Sequence, residues 1–172
     1  NRQYGTDYRS LMPTNLYGPG DNYHPEHSHV LPALVRRFSE AAAAGADEVV
    51  LWGSGEPRRE FLHVDDLASA AVYFCNLDAG AWGGRSFVNI GTGEDLRIVD
   101  LAHAIAREVG FEGAISLDPS KPDGTPRKLL DVSAATAMGW TASIPLEEGL
   151  RRTLEDFKGS EQWGVGPLSV VD

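Results

Sequence analysis

Cysteine occurs once in the 172 residues, at Cys75, so an internal disulfide framework is excluded. The apolar run that carries it, Ala70-Ala71-Val72-Tyr73-Phe74-Cys75, predicts a helix in which the thiol is buried as a small hydrophobe. No apolar stretch is long enough to cross a bilayer and no charged-then-apolar leader is present, so a membrane partner is not expected. A reducing cytoplasm is the expected setting for a chain so poor in cysteine. Basic residues are also scarce, 15 Lys and Arg against 25 Asp and Glu, for a net charge of −10. That balance argues against nucleic acid as a partner, because phosphate contacts need a net basic face.

The few basic side chains are nevertheless bunched, at Arg36-Arg37, at Arg58-Arg59 and at Lys121 with Arg127-Lys128. A fold that gathers them would make a pocket for a small anion such as a diphosphate. With 42% hydrophobic and 23% charged residues, the chain has the composition of a soluble globular domain that buries a core.

Residues 1–5 read as the last turn of a helix with Gly5 as its cap, which creates the expectation that residues precede Asn1. Residues 8–12 alternate like a strand, and Pro13 is expected to end it by withholding a ladder donor. From Pro13 to Ser28 the chain is rich in Asn, Gly, Pro and Asp, too long for an ordinary connection and polar enough to line a site. Ser28 is expected to cap a helix whose apolar face is Val30, Leu31, Leu34, Val35 and Phe38, ending at Gly45. A strand over 48–52, a returning turn over 53–57 and a second strand over 59–64 follow. Asp65 or Asp66 is expected to cap a helix through about residue 77. A strand over 86–90, a tight turn at Gly91-Thr92-Gly93, a helix over 98–109 stopped by Gly110 and a strand over 114–117 come next. Arg97 stands at the start of the 98–109 helix, where Asp95 is the expected cap. A long loop over 118–128 and helices near 134–138 and 146–158 complete the ordered part, and the tail from 159 to 172 has no periodicity to assign. Alternating strands and helices make the class α/β.

Three features carry possible chemistry. His24-x-x-His27-x-His29, with Glu26, has zinc-ligand residue types but fits neither the helical i, i+4 pair nor a structural-site spacing, so no metal is expected there. Gly91-Thr92-Gly93 lacks the third glycine of a dinucleotide fingerprint, since Leu96 holds that place, and reads as a strand-to-helix turn. In Arg59-Glu60-Phe61-Leu62-His63-Val64-Asp65-Asp66, the aspartates read as caps, and Arg59 is open to either an anion-binding or a solvated reading.

Taken together, Pro13-Thr14-Asn15-Leu16-Tyr17-Gly18-Pro19, the run 59–66 and Asn89-Ile90-Gly91-Thr92-Gly93 resemble the later half of an extended short-chain dehydrogenase/reductase. Within that superfamily three segments are similar to the GDP-L-fucose synthases over about residues 1–158: Asp21-Asn22-Tyr23-His24-Pro25 leading to the 28–34 segment, Trp52-Gly53-Ser54-Gly55, and Lys121-Pro122-Asp123-Gly124-Thr125-Pro126-Arg127-Lys128. The resemblance implies an α/β fold made of the last strands of a Rossmann-type sheet plus a smaller mixed α/β substrate-binding domain. Residues 1–28 would end the dinucleotide-binding domain and its active-site loop, and 29–158 would form the substrate domain, interleaved with Rossmann elements at about 59–95.

The resemblance also implies an NADPH-dependent enzyme that epimerises GDP-4-keto-6-deoxy-D-mannose at C3 and C5 and reduces it at C4. His29 matches the family's acid/base histidine, which also lies against the nicotinamide. Pro13, Thr14, Asn15 and Leu16 match the segment beneath the nicotinamide, with Asn15 also facing the sugar. Arg37, Trp52, Arg59 and Asp123 match contacts to the GDP portion, and Lys128 is a further anion contact. The superfamily's glycine-rich phosphate loop, its serine, its Tyr-x-x-x-Lys pair and the fucose synthase cysteine do not occur in the 172 residues, because Tyr4, Tyr8 and Tyr17 have no lysine four places on. A missing N-terminal half would supply them, this chain alone would be inactive, and the complete enzyme is expected to be a homodimer. The alternatives are a nucleotide-sugar binding module without catalysis, another extended short-chain reductase/epimerase acting on a nucleotide sugar, or a metal-dependent hydrolase built on the histidine cluster.

Overall fold

A computed structural model describes residues 1–160; the tail read above as aperiodic lies, beyond Ser160, outside the described residues. Residues 11–17 run extended and change partners midway. Strand β1 (Leu11–Pro13) pairs in parallel with β6 (Val88–Ile90), and β2 (Asn15–Tyr17) pairs in parallel with β5 (Phe61–His63). Strand β1 ends at Pro13, as expected, but not for want of a donor: Pro13 takes the last register position against Ile90, and Thr14 N–H still donates to Ile90 O at 3.0 Å before the chain changes partner. A proline needs no ladder donor where its own nitrogen faces away from the partner strand.

Strand β3 (Glu48–Trp52) does not return on a neighbouring strand. It pairs in parallel with β8 (Ala114–Asp118), and the residues after it form β4 (Arg58–Arg59), which lies between β7 (Leu96–Arg97) and β9 (Arg127–Lys128). Parallel pairing needs helical crossovers, and the helices are α1 (Val30–Ala44), α2 (Val64–Asn76), a short α3 (Ala79–Trp82), α4 (Ile98–Val109), α5 (Ser133–Ala137) and α6 (Leu146–Gly159). The class is α/β, as the alternation predicts.

Two apolar clusters meet across β2 and β5. Side chains on a strand alternate faces, so Phe61 joins one cluster and Leu62 the other. The first contains Leu31, Leu34, Val35 and Phe38 of α1, Leu101 and Ile105 of α4, and Leu150, Leu154 and Phe157 of α6. These recur at three- and four-residue spacings, and each contributes about 1.5–3 kcal/mol on full burial. The second contains Phe74, Trp82, Val88, Ile90 and Trp140. Cys75 faces away from it and is exposed, so the expectation of a buried thiol is wrong: Phe74 takes the inward position and the next residue turns out.

Three helix starts also differ from expectation. His29, not Ser28, is the cap residue of α1, and its side chain makes no capping bond. His63, not an aspartate, caps α2 by accepting the Asp65 N–H on Nδ1 at 3.2 Å. Asp66, inside the first turn, accepts instead from Ser143 N–H, Ser143 O–H and Ile144 N–H at 2.9–3.0 Å, which fastens the approach to α6. Arg97 stands at the cap of α4 without a side-chain capping bond, its guanidinium donating instead to Asp100 and Glu56, and Asp95 serves elsewhere. Residues 1–5 make one turn, closed by the Gly5 N–H to Asn1 O at 2.8 Å.

Candidate active site

At the C-terminal end of β3, the loop over 119–126, which follows the paired strand β8, folds over the turn that follows β3. Asp123 accepts from Ser54 N–H at 2.8 Å and Ser54 O–H at 2.7 Å, so its carboxyl is held below the usual carboxylate range and stays ionised. Gly53, at φ +81, has room only for hydrogen, because a Cβ there would collide with the Asp123 carboxylate. Trp52 stands beside this turn with 71% of its surface exposed, and Lys121 Nζ lies 5.4 Å from its ring centroid. Arg59 donates through Nη1 to Thr125 O at 2.6 Å and to its own neighbour's carbonyl, Arg58 O, at 2.7 Å. Its Nε and Nη2 have no partner among the described residues, which leaves a guanidinium edge for a ligand. Lys128 is exposed and sits in register with Arg59. Arg37, on α1, donates to Val50 O of β3. Trp52, Arg59, Asp123 and Lys128 are thus gathered by one loop, while Arg37 reaches the flank of the strand that feeds it.

Arg58 is not the solvated counterpart that its position beside Arg59 suggests. It donates to the Asp95 carboxylate at 2.7 Å and to Asp95 O at 2.8 Å, and Arg127 donates to the same carboxylate. The Asp95 side chain is only 2% exposed, and its two arginine partners hold its acidity below the ordinary range. These three form the lattice behind the Arg59 edge.

Glu60 joins that edge to the 13–16 segment. Its backbone carbonyl accepts from Asn15 Nδ2 at 2.7 Å and Thr14 Oγ1 at 3.3 Å, which orients Asn15 so that its side-chain oxygen stays without a partner among the described residues. Its carboxylate, in a residue 0% exposed, accepts from Gly93 N–H at 2.8 Å and Leu130 N–H at 3.0 Å. Gly91 and Gly93 therefore shape a turn around a carboxylate, and a Cβ on Gly91 would strike it. Pro13 and Asn15 are exposed and Thr14 and Leu16 half-buried at the C-terminal ends of parallel strands, where ligands of open α/β sheets bind. Glu60 and Ser54 were not among the residues singled out, whereas Lys121 belongs to one of the basic clusters read from the sequence; the signal available for Glu60 was an acidic residue directly before the apolar pair Phe61-Leu62.

The third component is the loop over 18–29. His29 is exposed, and its imidazole has no hydrogen bond among the described residues. His24 and His27 face each other instead, with ring centroids 4.6 Å apart, and His24 Nδ1 accepts the N–H groups of Glu26 and His27. Among the described residues no three metal-ligating side chains come together. A cavity of about 190 Å³ lies against residues 16–21 and Val64. A larger one, about 460 Å³, opens between the C-terminal ends of α1 and α4 and touches no candidate residue. His63 faces the Gly18 backbone with Nε2 buried and without a partner; burial lowers its basicity and keeps it neutral.

The model of the NAD dependent epimerase/dehydratase family matches residues 1–91. A GDP-L-fucose synthase of Escherichia coli (strain K12) is 56% identical over 162 residues, covering 91% of this chain and 50% of that protein. GDP-L-fucose synthase 1 of Arabidopsis thaliana is 56% identical over 153 residues, covering 89% of this chain and 46% of that protein. Among solved structures, a GDP-D-glycero-L-gluco-heptose synthase from Campylobacter jejuni, determined in the presence of NADPH, is 31% identical with a TM-score of 0.79, covering 93% of this chain and 55% of that one. The chain spans about half the length of the curated relatives it matches. No helix among the described residues is long and apolar enough to cross a membrane.

Proposed function

The chain belongs to the NAD dependent epimerase/dehydratase family, and on that premise we propose that it supplies the sugar-nucleotide side of an NADPH-dependent epimerase/reductase that converts GDP-4-keto-6-deoxy-D-mannose to GDP-L-fucose. The observation that carries this reading is the adjacency of Arg59 and Glu60: one reaches the loop that holds Trp52 and Asp123, the other anchors Asn15. A nucleotide diphosphate gripped by Arg59 would then present its sugar toward Asn15. Trp52 offers a flat face to guanine, Asp123 an acceptor, and Arg37 and Lys128 further positive charge.

The residues present fit the nicotinamide end of the cofactor. Pro13 and Asn15 form an open ledge at strand ends, Asn15 has an unused acceptor, and Leu16 gives an apolar edge. NADPH, when bound, supplies the hydride that reduces C4. A ketone at C4 acidifies C3 and C5, so a proton lost from one face leaves an enolate that His29 reprotonates from the other. Asn15 positions the ring between these two sources. The proton donor to the C4 oxygen in the reduction step, a Tyr-Lys pair in this superfamily, is not encoded in the 172 residues. In the complete enzyme, which we read as a cytoplasmic homodimer, residues 1–28 would end the cofactor-binding domain. Residues 29–158 would form the substrate domain, interleaved with Rossmann elements at about 59–95.

The purified 172-residue chain, given GDP-4-keto-6-deoxy-D-mannose and NADPH, is expected to show no NADPH oxidation and no product, and the complete enzyme to show both. Turnover by the chain alone would contradict this assignment of roles.

A further inference from the structure

Between the arginine pair of β4 and the buried strand β5 the chain changes neighbours, and Glu60 is the residue at the change. Arg58 and Arg59 are flanked by β7 and β9, whereas Phe61, Leu62 and His63 pair with β2. Glu60 belongs to neither ladder. Strand β9 ends beside it, so the amides that follow Lys128 have no ladder acceptor and need another. The Glu60 side chain supplies one: Oε2 accepts Leu130 N–H at 3.0 Å, two residues beyond Lys128, and Oε1 accepts Gly93 N–H at 2.8 Å. The carboxylate is sealed in place, because the residue is 0% exposed and a Cβ on Gly91 would overlap Oε1.

What β9 presents depends on where that amide is held. In a parallel ladder successive residues alternate faces and register partners share one. Arg58 and Arg127 are one such pair, and both turn to Asp95. Arg59 and Lys128 are the other, and they project from the opposite face. Arg59 keeps an unbonded guanidinium edge, and Lys128 is exposed with no ion pair among the described residues. Two cations therefore stand side by side on strands about 4.8 Å apart. Like charges directly opposite each other weaken a ladder, and this one is only two residues long. Its register needs an anchor outside the ladder.

We propose that Glu60 is a positioning residue for Lys128: by holding the Leu130 amide, its carboxylate fixes β9 in the register that sets Lys128 beside Arg59 as a two-cation grip for the diphosphate of the sugar nucleotide. This rests on the reading of Arg59 as the diphosphate contact. The backbone carbonyl of the same residue orients Asn15, so Glu60 aligns the diphosphate grip through its side chain and the sugar contact through its main chain. Glutamine cannot take its place, since a side-chain amide offers one acceptor oxygen to two N–H donors and turns its NH2 toward the other. A carboxylate that served the fold alone would change stability on substitution but not the share of nucleotide affinity that Lys128 carries.

The test is a double-mutant cycle in the complete enzyme, with GDP as the probe and its Kd read by titration calorimetry in the absence of NADPH. The variants are Glu60→Gln, Lys128→Ala and the two together. Lys128→Ala is expected to raise the Kd about tenfold, the loss of one charge-assisted contact, and Glu60→Gln about five- to tenfold. The pair should bind no more than about twofold more weakly than Lys128→Ala alone, because the carboxylate acts through that lysine. A second measurement needs no variant: in the parent enzyme without nucleotide, the Leu130 amide should exchange with deuterium about a hundredfold or more slowly than a free amide. No loss in Glu60→Gln, losses that multiply in the pair, or a Leu130 amide that exchanges freely would overturn the positioning inference and leave the diphosphate reading standing. An unchanged Kd in Lys128→Ala would overturn it as well, and an unchanged Kd in Arg59→Ala would take the diphosphate reading with it.

Discussion

Glu60 and Asp21 are both carboxylates drawn away from water, and they end in opposite states. Glu60 is fully enclosed, with both oxygens filled by the Gly93 and Leu130 amides and its carbonyl occupied by Thr14 and Asn15. Asp21 has one oxygen filled by the Asn22 amide and one bare. The region around Glu60 is a finished scaffold, in which both its carboxylate oxygens and its carbonyl are occupied. The loop over 18–29 is unfinished in the way that sites awaiting a ligand are, with spare donors and acceptors on an exposed turn. A carboxylate thus serves rigidity in one place and is left with an open oxygen in the other.

The largest effect should fall on the unfinished loop. In the complete enzyme, His29→Gln is expected to lower epimerised product by about two to four orders of magnitude, the usual size of a general acid–base contribution. His24→Gln and His27→Gln should stay within a few-fold, because their rings bind each other and the local backbone. Product analysis by chromatography distinguishes the three variants.

On the scaffold side, Glu60→Ala should cost stability. It orphans two partly buried amide donors, at about 1–3 kcal/mol each, so a total of roughly 2–6 kcal/mol is expected in urea unfolding of the complete enzyme. A smaller loss would mean that water replaces the carboxylate and that the scaffold is looser than it looks.

Arg59 and Arg58 sharpen the same contrast within one strand. Arg59→Ala should raise KM for the sugar nucleotide by about ten- to a hundredfold, the loss of one charge-assisted contact, and leave KM for NADPH nearly unchanged. Arg58→Ala should instead lower the unfolding midpoint with little change in either KM, because its guanidinium is committed to Asp95. Equal effects of Arg59→Ala on both ligands would remove the diphosphate assignment.

The smallest effect concerns pH. Asp95 is held below the ordinary carboxylate range by Arg127 and Arg58, so the stability it adds is present at neutral pH. That stability is lost as pH falls past about 4 and through the depressed folded value. Denaturation midpoints of Asp95→Asn should therefore decline less steeply between pH 5 and 3 than those of the parent, with a residual slope from Asp100 and Asp123, which are lowered in the same way by Arg97 and Ser54.

The sequence made much of this legible where one physical signal dominated. Helix α4 ends where Gly110 provides a left-handed cap, and its apolar period matches its buried face. Strand β3 and helix α1 were likewise readable from alternation and from the 30–38 stripe. Two-residue strands such as β4 and β9 were not, because so short a segment has no period; their pairing follows from Arg58 and Arg127 sharing Asp95 across 32 residues or more of chain. Capping was misread at α2 because the helix already begins at Val64, which puts His63 at the cap and both aspartates in the first turn, where Ser143 claims Asp66. Of the candidate site, resemblance gave the residues and the structure gave the tie between them, which runs through Glu60, a side chain whose sequence neighbourhood looks like any strand.

Proton chemistry on the loop over 18–29 can be tested with no reduction taking place. The complete enzyme, with GDP-4-keto-6-deoxy-D-mannose in deuterium oxide and NADPH omitted, should incorporate deuterium at C3 and C5, read by mass spectrometry. His29→Gln should lose that incorporation by about two orders of magnitude or more, while His24→Gln and His27→Gln keep it. Undiminished exchange in the His29 variant, or abolished exchange in either of the other two, would contradict the claim.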